Sequence, residues 1–466
     1  MKTESMRKNY VLLFSYIAIS LGAICQGEFN KCYFGTVGID FSDFQPQILT
    51  NSQMSGFESP ASICDSMGNL LFYSNGGNNP TGSDTNMGVW NANHEIMENG
   101  ILGDSSGCLS SSHGAVAFPI SVESDSSTTA RKLYYLFTRD CIESSFTSPR
   151  FNSGLTYCLI DMNENGGLGK VIKKNKTVIP FNEDGTISTG HEPLSVVLHE
   201  NNKDWWLFSY NNDSIYSLKI TPTSIGEYRS YDTGVGPIII SPRRDKLIAG
   251  KKLYDFDALT GDLSLRETFN NYSAAFSSNG SKLYLVENST IKQYNMDVQD
   301  ISTSQVIIGS IDDLNSLYLA PDHKIYLFGL NRLELPGRID CPNEHGLNCA
   351  LNLNAIYLEG KSSGVFTNIP ANYLFKERTS CVASNKEIII SKKNITIYPN
   401  PAKEVINFNG LEDKLFSVEV LSSCGKVVIA KKDIKNNSLN ISSLMSGIYF
   451  IYIYGKKDIV KKLVIE

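Results

Sequence analysis

One pattern recurs along most of the chain. A few small or apolar residues lead into a tight polar turn, and a second apolar run follows. Its clearest copy is Ser273–Val286, where Ser273-Ala-Ala-Phe276 and Lys282-Leu-Tyr-Leu-Val286 flank a turn at Asn279-Gly280. This predicts a β-hairpin, because Asn-Gly supplies positive φ at low steric cost. Further copies begin at Ala61, Ala115, Leu194, Pro237 and Leu317, and most are followed by one or two more strand-like runs such as Thr290–Asn295. The later copies recur roughly every 36 to 45 residues, the period of a four-stranded propeller blade. A blade cannot bury both of its faces alone, and a ring lets each blade cover the next. The expectation is an all-β protein built as a β-propeller, with seven blades favoured and six possible. An array of β-sandwiches is the rival. Six hairpins are visible. The runs Ala355–Leu358 and Pro370–Phe375 lack a partner, and the orphan strands between Cys32 and Phe41 supply it if a seventh blade closes from both chain ends.

From Asn394 the pattern changes. Tyr398-Pro-Asn-Pro401 bars a helix or a central strand and marks an entry turn. About seven short alternating runs follow, from Val405–Phe408 to Ile459–Ile465, which reads as a small Ig-like β-sandwich. Lys376–Lys393 is mostly polar. The expected organisation is a signal peptide at 1–25, a propeller at 26–378, a linker at 379–393 and the sandwich at 394–466.

The N-terminus supports export. Lys2, Arg7 and Lys8 precede an apolar run from Val11 to Ile24, of about fourteen residues and short for a membrane span. Ala23-Ile24-Cys25 then fits cleavage before Gln26. The alternative, lipidation at Cys25, wants Gly or Ala where Ile24 stands. No later run reaches spanning length, so no transmembrane segment is expected in the mature chain. The ten cysteines suit an oxidising compartment. They include no C-x-x-C, which removes the main support for zinc-ribbon or thioredoxin-like readings. The net charge of -6 argues against a nucleic-acid partner.

The C-terminal segment resembles the type A C-terminal sorting domain of the bacterial type IX secretion system. The residues that carry the resemblance are Tyr398, Pro399, Asn400 and Pro401, then Val418-Glu-Val420 leading to Gly425-Lys426-Val-Val428. Ile441–Tyr449, with Leu444, Gly447 and Tyr449, and the final Lys461-Lys462-Leu-Val464 complete the order. The resemblance implies Sec export, passage across the outer membrane through the type IX machinery, removal of the domain, and release or attachment at the outer surface. The repeat region is similar, more loosely, to propeller regions that accompany such domains, on Asp65–Tyr73, Val89–His94, His199 and Asp204-Trp-Trp206. That likeness brings no activity with it.

Candidate chemistry is sparse. Of six histidines, His113 and His191 each precede a first hairpin strand, usually the innermost of a blade, and so face the central channel. Glu192 beside His191 completes the weak set of catalytic candidates. The bland reading of each is a hydrogen-bonded loop residue. Asp255, Asp257 and Asp262 miss the calcium-loop pattern, and no metal site or cofactor is expected. There is no G-x-S-x-G, H-E-x-x-H or P-loop. Trp205 and Trp206 point to opposite sides of a strand, so at least one belongs to the core and the other is a possible sugar platform. The expected disulfides are Cys341–Cys349 and Cys141–Cys158, while Cys32, Cys64, Cys108 and Cys381 have no assigned partner and Cys424 is expected to be free. The leading function is a secreted or cell-surface module that recognises a glycan or a protein. The alternatives are a polysaccharide- or peptide-degrading enzyme with its site at the channel mouth, and a structural surface component.

Overall fold

The computed structural model describes residues 27–377 and 396–466, apart from 44, 55–57, 79–86, 104–105, 122–131, 142–153, 179–191, 212–213, 332, 363, 410–415, 423–426, 435–436 and 455–458 within them. His191, Gly425, Lys426 and the expected signal peptide lie outside the described residues.

Hydrophobic alternation gives way to strands where expected. Six four-stranded antiparallel meanders follow one another in chain order, with inner strands Ala61–Cys64, Ala115–Ser121, Leu194–Leu198, Ile238–Ile240, Ser273–Phe276 and Leu314–Leu319. Each inner strand packs against the next, and Lys31–Tyr33 packs against Ala61–Cys64. The first two meanders also touch at their outer edges through one parallel pair, Lys170 with Glu98. A three-stranded sheet, Lys31–Tyr33, Gly38–Asp40 and Gln47–Leu49, occupies the seventh position. It is completed from the far end of the repeat region. Gly35 bridges Ser362, Thr36 N–H donates to Lys361 O at 3.1 Å, and Thr367 Oγ1 donates to Tyr33 O at 2.7 Å. Phe34 contacts both Phe328 and Phe366 across this seam. The chain is therefore an all-β propeller closed by both ends of its repeat region.

Five of the blade hairpins, those whose turns are described, share one turn. Gly68, Asn202, Arg244, Gly280 and His323 all have positive φ. Each donates its N–H to the carbonyl three residues back, at 2.8–2.9 Å. At Asn279-Gly280 only the glycine is left-handed, while Asn279 Oδ1 accepts from Ser281 N–H at 3.0 Å. The turn is thus longer than a two-residue Asn-Gly loop, and Asn279 serves it as a side-chain acceptor. The same geometry explains His323 as a turn residue.

The run Pro370–Phe375, read above as a strand, is not one. Ala371–Leu374 forms a 3-10 turn. The segment from Val365 onward instead threads the ring. Asn368 Nδ2 donates to Leu194 O at 2.7 Å, Leu198 N–H donates to Asn372 Oδ1 at 3.1 Å, and Lys376 N–H donates to Ser278 O at 3.0 Å. Pro370, which has no N–H to give a ladder, and Asn372, whose side chain accepts from Leu198, suit such a strap better than a ladder.

The expected disulfides need correction. Cys141 pairs with Cys108, and Cys158 is a free, buried thiol. Register is the reason. Cys158 stands opposite Leu136 in mid-ladder, while Cys141 lies past Arg139, which pairs with Leu155. Cys349 is likewise free and buried, in the main core, so it is not the partner of the disulfide-bonded Cys341. Its backbone carbonyl holds Cys341 N–H at 2.9 Å instead.

The C-terminal segment has two antiparallel sheets. One contains Thr396–Tyr398, Val405–Asn409 and Ser438–Asn440; the other contains Phe416–Ser422, Val427–Ile434, Gly447–Tyr454 and Ile459–Ile465. Ile406, Phe408, Val418, Leu439, Ile451 and Leu463 form its core. Seven strands with one shared apolar face make the sandwich that the alternation predicted.

Candidate functional site

Residues at the starts of five inner strands come together at one mouth of the channel. A cavity of about 390 Å³ opens at this mouth. Its lining comes from the starts of consecutive inner strands: Ser112 and His113, Glu192 and Pro193, Val235–Pro237, Tyr272–Ala274, and Asn315–Tyr318. Val365 of the strap completes it. Deeper in the ring a smaller, mainly apolar cavity of about 80 Å³ lies among Ile238–Ile240, Ala274–Phe276, Leu317–Leu319 and Phe366–Ile369. The strap residues Phe366–Ile369 thus narrow the channel beside the mouth cavity.

His113 reaches this cavity through a left-handed backbone, φ 55°, held by its N–H donating to Glu58 O at 2.8 Å. Its Nδ1 lies 3.3 Å from Ser112 Oγ, and its ring packs on Tyr318 with centroids 5.3 Å apart. Burial of the ring pushes its pKa down to about 4, so it is a neutral imidazole near pH 7. Glu192 lines the same cavity. Its Oε2 accepts from Ser112 N–H at 2.8 Å, and the Arg139 guanidinium acts on it electrostatically from behind. Arg139 is itself buried and ion-paired with Asp140 at 3.1 Å, with burial lowering the pKa of the first and raising that of the second. Ser112 therefore joins the two sequence candidates, touching one through its amide and the other through its hydroxyl.

Three buried polar atoms at this mouth lack a hydrogen-bond partner: His113 Nε2, Ser316 Oγ and Tyr318 Oη. Ser316 and Tyr318 are two apart on one strand and so share a face. Ser316 and the Phe366 backbone lie beside the Tyr318 phenol without meeting hydrogen-bond geometry. Burial raises the Tyr318 pKa, so the phenol stays protonated. Sequence reasoning missed Ser316, Tyr318 and Tyr272. For Tyr272 the signal was available, since it precedes the inner strand Ser273–Phe276 much as His113 precedes Ala115–Ser121.

The other sequence candidates are structural. His94 is a positive-φ turn residue bonded to Asn51 and Tyr73. His199 stacks on Trp206. Both tryptophans are core: Trp205 Nε1 donates to Pro119 O at 3.1 Å and Trp206 Nε1 to Ala258 O at 2.8 Å. Neither is a sugar platform.

In the C-terminal sandwich, Asn400 mimics a strand backbone. Its Nδ2 donates to Lys462 O and its Oδ1 accepts from Val464 N–H, both at 2.8 Å. Ala402 and Glu466 continue that pairing. The YPNP turn is thereby tied to the final strand, and Tyr449 Oη donates to Met445 O at 2.9 Å within the Ile441–Tyr449 motif. Residues 396–466 match the family model of the secretion system C-terminal sorting domain. The sorting domain makes this a type IX secretion substrate, directed to the outer surface or the medium, and ties it to the secretion machinery. No helix among the described residues is long and apolar enough to cross a membrane.

No curated protein matches the chain. Among solved structures, the chain is similar to the β-propeller domain of Cps50 (Swd1) from Myceliophteria thermophila, at 10% identity and TM-score 0.37, covering 66% of this chain and 91% of that one. It is also similar to the Dos1 propeller, at 10% identity and TM-score 0.28, covering 42% and 48%. A protein of unknown function from Desulfotomaculum acetoxidans gives 15% identity and TM-score 0.35, covering 59% and 78%.

Proposed function

We propose that this secreted propeller is a recognition module that takes part of a glycan or protein ligand into the mouth of its central channel. The observation that carries this reading is the mouth cavity, which His113, Glu192, Ser316 and Tyr318 line from three different blades. At about 390 Å³ it has the size of a small-ligand site. It is mainly apolar, with a few polar groups. Three of its polar atoms have no partner, and each unmade buried bond costs about 1–3 kcal/mol that a ligand can recover.

Binding is favoured over turnover by the state of the histidine. A general base works best with a pKa near the operating pH. His113, held at about 4 and next to a serine hydroxyl, is a hydrogen-bonding group near neutrality. The test is a glycan-array and polysaccharide-turnover screen on the full chain. Binding without turnover is expected. Turnover abolished by Glu192→Gln would make the protein an enzyme and overturn the reading.

A further inference from the structure

We propose that the ligand entering this mouth is the uncharged, hydroxyl-bearing end of a saccharide, stacked on Tyr272 and hydrogen-bonded by His113, Ser316 and Tyr318. This rests on the recognition reading above and narrows it to a ligand class.

Charge comes first. Among the described residues lining the cavity, none is Lys or Arg. Nothing there neutralises a carboxylate, sulfate or phosphate, and burying such a group unpaired is costly. The one acidic side chain in the lining, Glu192, is already occupied by Ser112 N–H and biased by Arg139. A cationic ligand would compete with that guanidinium for the carboxylate. A neutral ligand meets neither obstacle.

The unpartnered atoms fit hydroxyls. His113 Nε2 donates if Ser112 Oγ–H donates to Nδ1, and accepts if Nδ1–H donates to Ser112 Oγ. A hydroxyl both donates and accepts, so it satisfies either tautomer. Ser316 Oγ and Tyr318 Oη are hydroxyls too, each able to donate or accept, and a ligand hydroxyl suits either role. All three atoms are buried at the cavity wall.

The rim supplies a stacking surface. Tyr272 stands just before an inner strand with its side chain 46% exposed. Its hydroxyl donates to Leu314 O at 3.0 Å and accepts from Ser289 N–H at 3.3 Å. The ring is thus anchored at its tip on an exposed residue of the cavity lining, and an aromatic ring held this way suits the apolar C–H face of a sugar. Asn315, exposed beside it, adds an amide that both donates and accepts.

The experiment presents the full chain with neutral oligosaccharides ending in hexose, deoxyhexose or N-acetylhexosamine, with polyuronates and sulfated glycans, and with a peptide library. Affinities of the hits are measured by calorimetry. Binding to at least one neutral oligosaccharide is expected. Tyr272→Ala should weaken it at least about tenfold, and Tyr272→Phe, which keeps the ring, should restore it to within about threefold. His113→Asn, which keeps a residue tolerant of positive φ but removes Nε2, should also weaken it. Binding only to anionic glycans or peptides, lost on these substitutions, would overturn the saccharide inference and leave the recognition reading standing. Neutral-glycan binding untouched by all three would place the site elsewhere and overturn both. Silence across every probe would count against both as well.

Discussion

Acid should weaken the propeller through His113 in a way that one substitution isolates. The ring is buried at the channel mouth and kept neutral, with its pKa lowered from 6.5 to about 4. In the unfolded chain His113 takes up a proton as the pH falls through 6.5, whereas the folded protein does so only near 4. Between those values the unfolded state binds more protons, so stability falls as the pH falls, and the loss is complete below 4. At roughly 1.4 kcal/mol per pH unit, the gap amounts to about 3 kcal/mol. Paired carboxylates also weaken in acid, but they do so equally in wild type and in His113→Asn. The difference between the two is the histidine's own share. The assay is urea unfolding from pH 7.5 to 3.5, followed by tryptophan fluorescence. All three tryptophans, Trp90, Trp205 and Trp206, lie in the propeller, so the sorting domain does not contribute. Wild type should lose about 3 kcal/mol more than the variant between pH 6.5 and 4. Parallel curves would refute the burial of this imidazole. His323, lowered to about 3 by burial first and by nearby Lys376 second, gives the same sign over a window that extends further into acid.

Other consequences are quicker to check. Replacing both Cys108 and Cys141 by serine opens a loop with a sequence separation of 33 and should cost about 3–4 kcal/mol, read as a lower urea midpoint under non-reducing conditions. Gly261→Ala should cost about 2–4 kcal/mol, because φ is +79° there and the new Cβ would meet the Trp206 ring at 2.5 Å; a shift in thermal midpoint and in tryptophan emission reports it. Ending the chain before residue 394 removes the segment that matches the sorting domain. The product should keep its folded fluorescence but remain in the periplasm, as immunoblots of periplasm, outer membrane and medium would reveal.

Much of the architecture was legible because it is written locally and repeatedly. Small or polar turn residues such as Gly68, Asn202 and Gly280 stand between two apolar runs in hairpin after hairpin, and that repeated pattern makes the ring of blades legible. The sorting domain was legible because several short motifs occur in order at Tyr398–Pro401, Ile441–Tyr449 and Lys461–Val464. What escaped was set by register and by long-range packing. Whether Cys141 meets Cys108 or Cys158 depends on where a ladder stops, and composition does not encode that. Pro370–Phe375 has the apolar content of a strand, yet Asn372 within it pairs with Leu198, and the flanking Asn368 and Lys376 pair with Leu194 and Ser278, all far away in sequence. Trp205 and Trp206 were divided correctly between two faces of a strand, but both faces are interior because a blade is covered on each side. At the mouth, His113 and Glu192 were found by position. Tyr272 shares that position before an inner strand, whereas Ser316 and Tyr318 lie within Leu314–Leu319 and reach the mouth through the register of the blade, which the sequence does not encode.

The measurement that tests the channel-mouth site most directly is a crystal structure of the full chain with its tightest-binding oligosaccharide from the array. The account predicts a sugar ring against Tyr272, with hydroxyls within hydrogen-bond distance of His113 Nε2 and of the Ser316 or Tyr318 oxygen. A ligand seated on the outer blade edges or on the opposite face, with the mouth cavity unchanged, would contradict it.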